Sequence, residues 1–138
     1  MLKQNPTETA FPDNKIPLNL SSILLVETDA ELRDSRRLLL GSLEYPVLAV
    51  SGYMDVCTLP AESNCCLVAI DICHSEHEAV RIAAHARRTW PHAKILLLGR
   101  PSEAFDDPLY DDAVNLQYNP TGFVDSAYRL LGKDRRFR

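Results

Sequence analysis

No apolar run in this 138-residue chain approaches the roughly 20 residues that a helix needs to cross a bilayer. The opening stretch MLKQNPTETAFPDNKIP has no apolar core, so it does not read as a secretory leader. Basic residues are not in excess: 15 Lys and Arg stand against 19 Asp and Glu, a net charge of −4. A chain so balanced is not built to coat nucleic acid or an anionic membrane. There is no glycine-rich phosphate loop, no GxSxG and no HExxH, so enzyme readings find no motif and a non-enzyme is expected. The four cysteines (Cys57, Cys65, Cys66 and Cys73) form no CxxC pair. Cys65 and Cys66 are adjacent and would face opposite sides of a strand. Reduced, mostly buried thiols in the cytoplasm fit them better than disulfides.

What the chain does have is a core. Hydrophobic residues make up 46% and charged ones 25%, enough for one globular domain. Residues 1–20 are polar, carry Pro6, Pro12 and Pro17, and read as a flexible arm. The domain is expected over residues 21–132, with KDRRFR at 133–138 a basic tail. Within it, apolar runs predict strands at Ile23 to Glu27, Val47 to Val50, Cys65 to Asp71, Lys94 to Gly99 and Ala113 to Asn119. Between them, Asp29 caps a helix whose face is drawn by Leu32, Leu39, Leu40 and Leu43. A short helix at Tyr53 to Leu59 is stopped by Pro60, and Glu76 to Thr89 has the clearest apolar face. Glu103 to Asp112 reads as an acidic fourth helix and Gly122 to Leu131 as a fifth.

Alternating strands and helices, with continuously apolar first, third and fourth strands, predict a doubly wound parallel α/β sheet. The expected strand order is 2-1-3-4-5, a flavodoxin-like three-layer α/β/α fold. Working groups in such sheets gather at the carboxyl ends of the strands. Glu27, Asp71 and Gly99 fall there.

The segments ILLVETDAELR, CCLVAID, PHAKILLLG and DDAVNLQYNP, in that order, resemble the strands of a response-regulator receiver domain. The resemblance spans Ser22 to about Gly132. It implies phosphoryl transfer from a histidine kinase to an aspartate, here Asp71, assisted by Mg²⁺ and a lysine. It also implies a hydroxyl and an aromatic residue that move with the phosphate. Position by position, this chain departs. The two metal acids correspond to Glu27 and Thr28, the hydroxyl to Gly99, the aromatic to Leu116 and the lysine to Asn119. The loop after the aspartate, ICHSEHEA, is not of the usual kind.

The expected function is therefore a stand-alone receiver-like module of two-component or phosphorelay signalling. It would act mainly by protein–protein contact, with impaired or absent phosphorylation. One alternative is a Mg²⁺-dependent phospho-acceptor still modified at Asp71, and another is a small-ligand or metal-binding flavodoxin-like domain. No cofactor is required on the first reading. Mg²⁺ is a weak fit; the weak metal candidates are Glu27 and Asp71, with Cys73 a soft ligand that could join His74 and His77. Cys73, His74, His77 and His85 match no standard zinc spacing. Trp90 reads as a half-buried helix cap. The expected partner is a histidine kinase or another signalling protein, or a second copy. The resemblance implies that the partner face lies on the fourth helix, fifth strand and fifth helix, and aromatic anchors with a charged rim suit an interface. Tyr110, Tyr118, Phe123 and Tyr128 would anchor it, with Phe105 and Leu109 beside them and Asp106, Asp107, Asp111 and Asp112 at the rim. Packing of Phe123 and Tyr128 against the sheet is the competing reading.

Overall fold

The computed structural model describes residues 21–71, 75–99, 109–116 and 121–132. Five parallel strands form one sheet in the order β2-β1-β3-β4-β5. They are β1 (Ser22–Val26), β2 (Val47–Val50), β3 (Cys65–Asp71), β4 (Lys94–Leu98) and β5 (Asp112–Val114). The helices are α1 (Ala30–Gly41), α2 (Tyr53–Cys57), α3 (Glu76–Thr89) and α4 (Gly122–Leu130). The predicted order and class hold. No helix among the described residues is long and apolar enough to cross a membrane.

Side chains alternate across a strand, so an all-apolar strand feeds two cores. Leu24 and Val26 of β1 join Val68, Ile70, Ile95 and Leu97 against α2 and α3. Ile23 and Leu25 join Leu67, Ala69, Leu96 and Leu98 against α1 and α4. Burying each such side chain contributes roughly 1.5–3 kcal/mol.

On α1 the inward face is not the predicted one. Leu40 and Leu43 are buried, whereas Leu32 and Leu39 are exposed. The residues sharing the inward side with Leu40 are those one and two turns before it, Arg36 and Arg33. α1 begins as predicted: the Asp29 carboxylate accepts the amides of Glu31 at 2.9 Å and Leu32 at 3.1 Å. Asp29→Ala should cost about 1 kcal/mol and Asp29→Asn almost nothing, because asparagine caps equally well. Urea unfolding of both variants checks this.

The other differences are at the fifth strand. The predicted fourth helix lies largely outside the described residues, but Leu109 to Asp112 are not helical. Asp111 pairs with β4 instead: its amide donates to the Ile95 carbonyl at 2.8 Å, and its carboxylate accepts the Ile95 amide at 2.7 Å. Arg87 of α3 adds bonds to the Leu109 carbonyl at 2.8 Å and to the Asp111 carboxylate at 3.1 Å. β5 ends at Val114, so Asn115 and Leu116 lie beyond the strand. Trp90 is buried rather than half-buried.

Candidate functional site

β1 and β3 are neighbours, with Val26 opposite Ile70. The next residue on each strand is an acid, so the register alone places Glu27 beside Asp71 at the carboxyl edge. Both side chains are nearly out of water, 1% and 6% exposed. Two adjacent buried carboxylates repel and are poorly solvated, so the edge needs a positive charge. α1 supplies it. Helical side chains lean toward the helix N-terminus. Arg36 thus reaches back along α1 to the strand ends, and its Nη1 contacts both acids: Glu27 Oε1, and Asp71 Oδ2 at 2.5 Å.

One guanidinium cannot neutralise two carboxylates, and the surplus falls on Glu27. Burial pushes its carboxyl up from 4.5 to about 7, and the hydrogen bond and charge of Asp71 push the same way. The amide of Asp29, donating to Glu27 Oε2 at 3.0 Å, and the charge of Arg36 only partly oppose this. Near neutral pH the Glu27 carboxyl is therefore partly protonated.

A second arginine fixes the backbone here. Arg33 Nη1 donates to the carbonyls of Glu27 at 2.9 Å and Thr28 at 3.3 Å. The Thr28 hydroxyl donates to the Ser51 carbonyl at 3.1 Å, tying the loop to the end of β2. Beside Asp71 is a pocket of about 10 Å³, lined among others by Thr28, Ser51, Ser75 and Glu78. That is room for one water.

No family model matches the sequence, and no curated protein matches it. Solved structures do. A receiver domain of an HD domain-containing protein from Pseudomonas fluorescens Pf-5 superposes with a TM-score of 0.69 at 17% identity, over 81% of this chain and 94% of that one. A CheY-like receiver from Methanospirillum hungatei JF-1 gives 0.69 at 20%, over 83% and 96%. The response regulator TrrA of Thermotoga maritima, in complex with Mg²⁺–BeF, gives 0.66 at 21%, over 80% and 98%.

This chain has the receiver-domain fold.

Within the receiver fold, the residues singled out in the sequence separate into three groups. Glu27 and Asp71 come together at one buried site. Thr28 adjoins them but its hydroxyl is turned to the Ser51 carbonyl. Gly99 stands at the end of β4 with φ +119°, a backbone conformation suited to glycine, and its amide donates to the Val114 carbonyl at 2.9 Å. Leu116 packs half-buried against the α1–α4 core. Cys73, His74, Tyr118 and Asn119 lie outside the described residues.

Among the described residues, the acids that could hold Mg²⁺ are already engaged. Such a cation requires near-octahedral oxygen ligands. No group of three or more His, Cys, Asp or Glu is placed to hold a metal among them, and the two acids present hold Arg36. His85 is a packing residue: it lies edge-on to Tyr53 and Trp90, with Nε2 3.2 Å from the Thr89 hydroxyl. His77 is exposed on α3.

On the expected partner face, Phe123 is corrected: it is fully buried in the α1–α4 core, so it packs α4 on the sheet and presents nothing to a partner. Tyr110 and Tyr128 are half-buried. Asp111 and Asp112 are ion-paired with Arg87 and Arg129. Phe105, Asp106 and Asp107 lie outside the described residues. The residue the sequence reading missed is Arg36. Its signal was the spacing to Leu40 and Leu43, obscured because Leu32 and Leu39 offered an equally regular stripe.

Proposed function

We propose that this chain is a receiver-type signalling module, working in the cytoplasm by contact with a protein partner, with phosphorylation at Asp71 impaired or absent. The observation that carries this reading is the Arg36 bond to Asp71 Oδ2 at 2.5 Å. An aspartate acting as nucleophile must turn a carboxylate oxygen to the incoming phosphorus. Here one oxygen is bound to a guanidinium, a charge-assisted contact worth about 1.5–3 kcal/mol. Gly99 offers no hydroxyl for a phosphoryl oxygen, and Asn119 replaces the cation that would bind another. Phosphorylation would thus lose several cooperating contacts at once.

Incubation with a small phosphodonor and Mg²⁺, followed by intact mass, tests the proposal. The mass should stay unchanged, in wild type and in Asp71→Asn alike. A phosphoryl adduct on wild type that disappears in Asp71→Asn would restore the phospho-acceptor reading. The partner would be a histidine kinase, another signalling protein or a second copy, docking where Tyr110 and Tyr128 are half-buried. Such contact should be constitutive. Light scattering should give the same assembly state with and without beryllofluoride and Mg²⁺.

A further inference from the structure

We infer that Arg36 is a built-in cation of the site: its guanidinium takes the position a divalent metal would need between Glu27 and Asp71, and makes the domain metal-independent. The inference rests on the reading of a module silent at Asp71 and extends it to the cation.

The geometry is that of a shared counterion. An arginine serving one carboxylate usually presents two nitrogens to its two oxygens. Here a single nitrogen, Nη1, bonds to an oxygen from each of two acids. It bridges the ends of neighbouring strands, as a small cation would. The burial of both carboxylates makes some cation obligatory. Three other oxygens at this edge are also engaged. Arg33 holds the Glu27 and Thr28 carbonyls, and the Asp29 amide holds Glu27 Oε2. A hard cation would have to displace two guanidinium groups to gather its ligands. Neither can be titrated away, because arginine does not lose its proton in proteins. Arg36 is moreover carried on α1, which Leu40, and Leu43 just past its end, lock onto the sheet. It is therefore always at hand, whereas a metal must be captured from solution.

The same arrangement predicts a latent site. With Arg36 shortened, two facing carboxylates lose the cation to which both are bonded, and a divalent ion is the natural substitute. Mn²⁺ titration followed by electron paramagnetic resonance reads this directly. Wild type should take up no Mn²⁺ at millimolar concentration, and its urea midpoint should be the same in Mg²⁺ and in chelator. Arg36→Ala should bind Mn²⁺ at least about tenfold tighter than wild type, a difference of about 1.4 kcal/mol. Adding Asp71→Asn should abolish the gain. If Arg36→Ala alone is unfolded, Mg²⁺ or Mn²⁺ should refold it, as seen in its circular dichroism. Wild type binding Mn²⁺ as tightly as Arg36→Ala overturns the inference, and so does a variant that neither binds a divalent ion nor refolds with one. The two readings fail separately. Mn²⁺ uptake by wild type without a phosphoryl adduct defeats only the built-in cation, and an adduct without Mn²⁺ uptake by the free protein defeats only the silent acceptor.

Discussion

Arg36→Met should lower folding stability by about 3–5 kcal/mol near pH 8 in the presence of chelator, the cost of leaving a buried charge without its partner. Methionine fills much of the volume of the arginine stem, so the loss is electrostatic rather than a packing defect. It removes the cation that, among the described residues, bonds to both Glu27 and Asp71. The penalty should shrink on acidification, because a protonated carboxyl needs no counterion. Arg36→Lys should fall between the two, since an ammonium keeps the charge but not the reach or shape of a guanidinium. The decisive comparison is the double variant. Glu27→Gln placed on Arg36→Met should recover most of the loss, because it removes the acid that took the surplus charge. Urea unfolding of wild type, Arg36→Met, Glu27→Gln and the double variant gives the coupling energy. A single-variant effect within about 0.5 kcal/mol, the range of ordinary surface changes, would show that the triad does not hold this edge.

The fold was legible because its signals were redundant. Each of β1, β3 and β4 is apolar on both faces, α3 has Ser75 and Trp90 at its two ends, and the parallel order followed from alternation. The acids were legible too, since the strand ends name Glu27 and Asp71 without any side-chain detail. Arg36 was not. A cation that acts across 35 positions leaves no local spacing to read. Its helix also carries four further charged residues, Glu31, Arg33, Asp34 and Arg37, any of which could have faced the sheet. The choice among them is made by Leu40 and Leu43, and the exposed Leu32, Leu38 and Leu39 mask that choice. The fifth strand failed for a related reason. The Asp111 side chain takes the place of a backbone acceptor for the Ile95 amide of β4, and a carboxylate in that role looks in sequence like part of an acidic helix.

The burial of Glu27, reinforced by Asp71 beside it, should give the protein an inverted pH dependence between pH 4.5 and about 7. A carboxyl whose value is raised by folding binds its proton more tightly in the folded state. Across that interval the folded chain holds more protons than the unfolded one, so stability falls as pH rises. The contribution is fully present below pH 4.5, declines through the interval, and is gone above about pH 7. At about 1.4 kcal/mol for each pH unit, the loss attributable to Glu27 is on the order of 3 kcal/mol. Most surface acids act in the opposite sense. Asp55, held below its ordinary value by the hydroxyl and amide of Ser51, is stabilising once ionised and loses that only in stronger acid. The two effects therefore occupy different windows. Glu27→Gln isolates the first: the difference in unfolding free energy between wild type and this variant should slope downward from pH 4.5 to about 7 and level off beyond. Asp71→Asn should make the slope shallower without removing it, because the neighbouring charge disappears while burial, the larger cause, remains. Urea unfolding at closely spaced pH values measures both. A difference curve that is flat across the interval would mean that Arg36 fully compensates Glu27, and that both acids stay ionised around a single guanidinium.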